Sequence, residues 1–454
     1  MTRNIVDFSL APYSCCADES FHRCHFEFEA QGRLMTTLMI VEPDATGHRM
    51  ILYVRLIVAE ALLRGVDVIL LTTNEALLHD ACRAVLSEFA GRLKVATMPD
   101  LPASGGAGRI GLVRSQYRWL KAFRAGYRDV SRRQRVDFAY VPFFNNIDKV
   151  ISWFGSPFGS TPFGGMVMAA KFHHRSCGIL GPGAGKRDIV NEFMFRRTLK
   201  TRNLAVLTSI DEPLADFAKK AIGHAGERVR YVPDVSFIQL PASRGAARVS
   251  LGFTADDFVI LLYGSVSPRK GLAKLLKLFD SHDLPPNFRL LMMGAQSADA
   301  KNMIRDFLER RPERRNCLVV VDRFVTQIEE GQAFACADVV WLCYENFSGM
   351  SGVLIQSAQA GVPVVTAGYG LIEHYRERYM LGVRWSDFVT TEKGRECYNW
   401  SRLRKSAQAM RGGGRLFAFA KAHSPEAFGR NVINAISDSQ NWKFDVLQRD
   451  VSLE

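Results

Sequence analysis

The stretch ADVVWLCYENFSGMSGVLIQSAQAGVPVV, Ala337 to Val365, decides how this chain is read. Val339–Leu342 is an uninterrupted apolar run, the pattern of a strand buried on both faces. Ser348-Gly349-Met350-Ser351-Gly352 is a loop of small residues that runs into a helical pattern. Gly361-Val362-Pro363 then breaks the helix before a second buried strand. Backbone N–H groups at a helix start are unpaired and carry partial positive charge, so they favour an anion. Glycines let a bulky diphosphate approach the main chain. The stretch therefore predicts a phosphate cradle at the carboxyl end of a strand, where open α/β sheets bind ligands.

Alternation of strand and helix extends outward from there in both directions. Upstream, Phe258–Tyr263 reads as a strand and Leu272–Phe279 as a helix, joined by the loop Gly264-Ser265-Val266-Ser267-Pro268-Arg269-Lys270-Gly271. Further strands are predicted at Arg289–Met293, Cys317–Val321 and Val362–Thr366, with helices at Met303–Glu309 and Gln327–Cys336. Near Tyr231–Arg244 the pattern fails around Pro233 and Pro241, which predicts a linker. Before it, the same alternation starts at Leu34–Pro43 and continues through a helix at Met50–Arg64 and a strand at Val66–Thr72. A helix follows at Glu75–Phe89, then strands at Leu93–Thr97, Phe138–Val141, Gly165–Phe172 and Leu204–Thr208. The expected fold class is α/β, with two Rossmann-like domains facing a cleft. The expected boundaries are an N-terminal arm over 1–34, a first domain over 35–235 and a second over 245–415. A C-terminal helix and tail over 416–454 would pack back on the first domain.

Composition narrows the classes. At 454 residues the chain is too long for one ordinary core. With 47% hydrophobic and 23% charged residues it reads as globular. The longest apolar candidate for a membrane span, residues 50–71, is interrupted by Arg55, Glu60, Arg64 and Asp67. No basic start with an apolar core follows the first residue, so a cytoplasmic setting is expected. The nine cysteines form no CxxC pair, in keeping with reduced thiols. His22-Arg23-Cys24-His25, with Cys15-Cys16 upstream, matches no common zinc spacing, and no metal is expected.

The net charge of +13 calls for anionic partners. Much of it lies in two helical segments. One runs from Arg114 to Arg135, interleaved with Tyr117, Trp119, Phe123 and Tyr127; the other runs from Lys186 to Arg202. Either segment reads as a solvated polar face over a packed apolar one. Either also reads as a basic amphipathic surface resting on an anionic membrane, which would place the protein at the membrane's inner face. Nucleic acid is not expected, because no recognised binding module is present.

The ordered motifs of the second half resemble the donor domain of GT-B glycosyltransferases, family 4 above all, the retaining enzymes that use nucleotide sugars. Pro268-Arg269-Lys270-Gly271 resembles that family's P-x-K-G loop, Ala337-Asp338-Val339-Val340 its ADV strand entrance, Ala360–Val365 its AGxPVV segment, and Tyr369–Glu373 its GGxxE turn. The resemblance implies a hexosyl-type transferase that needs no metal or cofactor and uses a UDP- or GDP-sugar as co-substrate. Its acceptor would be a glycan, a lipid-linked or a small molecule, as in polysaccharide biosynthesis.

The resemblance also implies roles. Lys270 would pair with the donor diphosphate, with Gly264, Ser265 and Arg269 beside it; Ser265 stands where the family often has arginine. The paired glutamates of the family are not intact. Gln356 stands at the second, and Ser348 stands eight positions before it. Glu345 matches the first only through a three-residue insertion. Gln356 would bond a ribose hydroxyl, Glu345 the donor-sugar hydroxyls, and Ser348, Ser351, Gly352 and Val353 the diphosphate. Gly47 and His48 resemble the loop beneath the diphosphate; a plain helix cap reads equally well. His173 or His174 would face the donor sugar, with His173 in the better register and an anion contact as the other reading. Gly181–Arg187 is one residue short of a Walker A loop and has Arg187 where Ser or Thr should hold magnesium, so it reads as an acceptor loop. The expected activity is glycosyl transfer with retention. Inversion, or a degenerate transferase acting as a binding subunit, are the alternatives.

Overall fold

A computed structural model of the chain describes residues 36–100, 108–181, 185–392 and 394–442. The arm over 1–34 and its Cys and His residues lie outside the described residues, as do 182–184 of the Walker-like segment.

Two parallel sheets form the frame. The first contains β1 (Thr37–Val41), β2 (Asp67–Thr73), β3 (Leu93–Met98), β4 (Phe138–Val141), β5 (Phe163–Val167), β6 (Leu204–Ser209) and β7 (Val229–Tyr231), in the order 3-2-1-4-5-6-7. The second contains β8 (Phe258–Tyr263), β9 (Phe288–Met293), β10 (Leu318–Val321), β11 (Val339–Leu342), β12 (Val364–Thr366) and β13 (Gly382–Arg384), in the order 10-9-8-11-12-13. Both orders reverse once, between β1 and β4 and between β8 and β11. Those reversals are the points where doubly wound sheets open a crevice.

The strands are apolar on both faces because each sheet has a core on each side. In β1, Leu38 and Ile40 pack into one core while Met39 and Val41 pack into the other. In β8, Val259 and Leu261 face one core, and Phe258, Ile260 and Leu262 the other. The helix Pro425–Gln440 sends Phe428, Val432, Ile433 and Ile436 into the core of the first sheet and runs against the helix Arg55–Leu63. Gly429 permits that approach, since a Cβ there would stand 2.7 Å from the Leu56 carbonyl oxygen.

The structure differs from the sequence reading at several elements. The strand expected over Gly165–Phe172 ends at Val167, where its pairing with Ser209 ends. Residues beyond Val167 leave the sheet although they remain partly apolar. The helix expected over Met50–Arg64 opens with a π-helical stretch, Arg49–Val54, before the α-helix Arg55–Leu63. The segment Glu75–Phe89 is two helices, Asn74–Leu77 and Asp80–Glu88, because His79 caps the second through Nδ1. The expected linker is an extended run that ends where Ser243 caps the helix Arg244–Ser250. A hairpin, Val389–Glu392 with Arg395–Tyr398, had no counterpart in the reading.

Asp338, at the entrance to β11, has a structural task. Its carboxylate accepts from Arg244, from Arg248 at 2.6 Å and from the Val259 amide at 2.8 Å. This pins the helix Arg244–Ser250 to the second sheet.

Candidate active site

Lys270 occupies the reversal point of the second sheet. It ends a short 3₁₀ turn, Pro268–Lys270, and Gly271 follows in the left-handed region at φ 73°. A Cβ on Gly271 would collide with the Cys343 carbonyl at 2.1 Å, so the loop after β8 lies flat against the end of β11. Lys270 is buried, and its Nζ donates to the Tyr263 carbonyl and to Tyr344 Oη, the latter at 3.2 Å. Gly264, at φ 92°, leaves room for that ammonium; a Cβ would stand 2.9 Å from Nζ. Ser265 and Arg269 are exposed beside it, and the Arg269 guanidinium lies over Phe347, 5.1 Å from the ring centre.

The small-residue loop follows β11. Glu345, half buried, donates its amide to the Arg269 carbonyl at 2.7 Å, which joins the two loops. Ser348 is buried, and its carbonyl accepts from Leu371. Ser351 starts the helix Gly352–Gln359 with no side-chain cap, and Val353 lies in its first turn. Met350 packs against cores of both sheets, so this loop lies where the lobes meet.

Gln356 already has partners within the protein. Its amide donates to Glu330 Oε1 at 2.7 Å and to the Phe237 carbonyl at 3.4 Å. Burial raises the Glu330 carboxyl, while Tyr263, Gln356 and the charge of His48 oppose that. Sequence reasoning missed Glu330, because its partner is 26 residues away on another helix. Gly47 and His48 are exposed in the loop after β1, with Gly47 at φ 64°.

Glu42, at the end of β1, was also missed. It is fully buried, and burial pushes its carboxyl up to about 8 against the pull of Arg49 at 3.4 Å. A glutamate inside an apolar run was the available signal.

His173 is fully buried and His174 nearly so, and neither presents a ring to solvent. Both turn towards Asp211: His173 Nε2 is 3.0 Å from Oδ2, and His174 Nε2 is 3.5 Å from it. Close by, a cavity of about 230 Å³ opens at the carboxyl ends of β4 to β6, lined by Phe172, Asp148, Lys149, Lys171, Arg187 and Asn191 among others.

The lobes touch through Tyr375, whose hydroxyl donates to the Ile210 carbonyl and accepts from the Glu212 amide. Arg378 pairs with Glu212 at 2.8 Å, and the Gly370 amide donates to Leu180 at 2.8 Å. Among the described residues no helix is long and apolar enough to cross a membrane.

No family model and no curated protein sequence matches this chain. Solved structures do. HepE from Anabaena, in complex with UDP and glucose, is 12% identical; the likeness covers 89% of this chain and 100% of that one, with a TM-score of 0.56. Sucrose-phosphate synthase from Thermosynechococcus elongatus is 13% identical, over 90% and 95% of the two chains, with a TM-score of 0.54. A glycosyltransferase from Rickettsia africae is 10% identical, over 90% and 100%, with a TM-score of 0.56. At these identities the likeness establishes the fold: two Rossmann-like parallel sheets in the GT-B arrangement.

Proposed function

We propose that this chain transfers a sugar from a nucleoside diphosphate donor to an acceptor. The observation that carries the reading is the buried Lys270 ammonium at the β8/β11 reversal, on a loop that the Glu345 amide ties to the segment leading into the helix Gly352–Gln359. Departure of a nucleoside diphosphate leaves negative charge on its phosphates. A preorganised ammonium and unpaired main-chain amides stabilise that charge as it develops. Lys270 has three N–H donors and two protein partners, which leaves one for a phosphate oxygen. That HepE binds UDP and glucose on the same fold supports this choice of donor.

Finer roles belong to the same proposal. Glu330, held by Gln356, supplies the carboxylate for a ribose hydroxyl that the glutamine lacks. Glu345 and Ser348 stand at the sugar and diphosphate, with Gly47 and His48 opposite. The cavity beside Phe172 receives the acceptor, with Lys171 and Arg187 suited to an acidic group on it. Retention follows from the family 4 resemblance, and the anomeric configuration of the product decides it against inversion.

Calorimetric titration of UDP and GDP against the wild type and Lys270→Ala tests the central step. One nucleotide should bind, and the variant should bind it about 10- to 100-fold more weakly, the weight of a charge-assisted hydrogen bond of about 1.5–3 kcal/mol. Binding by neither nucleotide, or equal binding by a folded variant, overturns the proposal.

A further inference from the structure

We propose that His173, His174 and Asp211 form a binding site for one divalent cation of the zinc class. The site is separate from the diphosphate cradle and does not depend on the donor reading. One ligand atom from each of the three side chains lies within 4.8 Å of the others, and all three residues are buried. They come from two neighbouring strand ends. The histidines follow β5, and Asp211 caps the helix Glu212–Ala221 directly after β6.

The spacing fits an ion. Around a tetrahedral cation with ligands at about 2.1 Å, neighbouring ligand atoms stand about 3.4 Å apart. The two measured separations to Asp211 Oδ2, 3.0 and 3.5 Å, lie on either side of that value. They are also short enough for hydrogen bonds, but the directions are not those of hydrogen bonds. His173 Nε2, His174 Nε2 and Asp211 Oδ2 are all buried without an aligned partner. Buried polar atoms left so are rare and costly. A cation between them satisfies all three at once.

The chemistry agrees. The Asp211 charge is buried, and its ion-pair partners among the described residues are the two histidines. A divalent ion held by both ring nitrogens supplies that carboxylate with a countercharge. Asp211 Oδ1 is occupied by the Leu214 amide at 3.1 Å, which orients Oδ2 and favours a single bond to the ion. Two imidazoles and a carboxylate suit borderline cations such as Zn²⁺, with one position left for solvent. The adjacent Glu212 amide donates to Tyr375 of the other lobe, so the ion would brace the corner on which the lobes meet.

The test uses the full chain stripped by dialysis against a chelator, then titrated with Co²⁺ and, separately, Zn²⁺. The wild type should bind one Co²⁺ per chain with the visible absorption of a tetrahedral centre, and Zn²⁺ should raise its melting temperature. His174→Gln should keep its far-ultraviolet circular dichroism and lose affinity by more than about tenfold. Absence of stoichiometric binding to the wild type, or unchanged binding to the folded variant, overturns the proposal. Should His174→Gln not fold, anomalous scattering from wild-type crystals grown with Zn²⁺ decides. A peak about 2.2 Å from the three ligand atoms supports the site; no peak, or a peak elsewhere, overturns it.

Discussion

Glu42 shows how much one residue at the end of a strand can set. Burial lifts its carboxyl from the ordinary 4.5 to about 8, so the folded protein holds a proton there that the unfolded chain releases. Stability from this group is complete below about pH 4.5 and is lost as pH rises through about 8. His423 works with the opposite sign. Burial holds its ring down to about 4, so its contribution is lost as pH falls from 6.5 towards that value. Glu42→Gln removes the first dependence and keeps the shape. Between about pH 6.5 and 8.5 the wild type should lose about 2 kcal/mol relative to this variant, read from urea midpoints. Parallel pH curves for the two proteins would contradict the assignment.

Among the elements, the two basic helices show how a sequence pattern becomes a surface. The helix Arg109–Ser131 carries Tyr117, whose ring lies 4.7 Å from Phe154. Phe154 and Trp153 are exposed on the short helix Ile151–Phe154, and Arg197 lies over Trp153 at 4.3 Å. On the helix Lys186–Thr198, Ile189, Val190 and Phe193 are also exposed. Exposed apolar side chains beside arginines are what an anionic bilayer surface accepts, so we propose that this face rests on such a surface when the acceptor is lipid-linked. Sedimentation with vesicles should show binding to anionic but not zwitterionic lipid, reduced in Trp153→Glu. Equal binding to both, or to neither, would remove this surface from the account.

At the scale of the whole molecule, what the sequence showed depended on how local the cause was. Phe138–Val141, Phe258–Tyr263 and Val339–Leu342 were read with the observed bounds, since a strand buried on both faces is apolar throughout. The end of β5 was not legible, because it depends on where β6 stops pairing. Lys270 was singled out through its resemblance to the P-x-K-G loop; its burial at the β8/β11 reversal was not written in that loop. The pairing of Gln356 with Glu330 and the gathering of His173, His174 and Asp211 were not legible, because sheet order brings those residues together across long stretches of chain. The amphipathic helix Pro425–Gln440 was visible, but not that its seat against Leu56 needs a residue without a Cβ at Gly429. Donor binding in the crevice between the two sheets underlies the proposed transfer. A crystal structure of the protein grown with UDP tests it most directly. The diphosphate should lie at the β8/β11 reversal, within hydrogen-bond distance of Lys270 Nζ and the amides at the start of the helix Gly352–Gln359. A nucleotide seated elsewhere, with Lys270 still bonded only to Tyr263 and Tyr344, would contradict it.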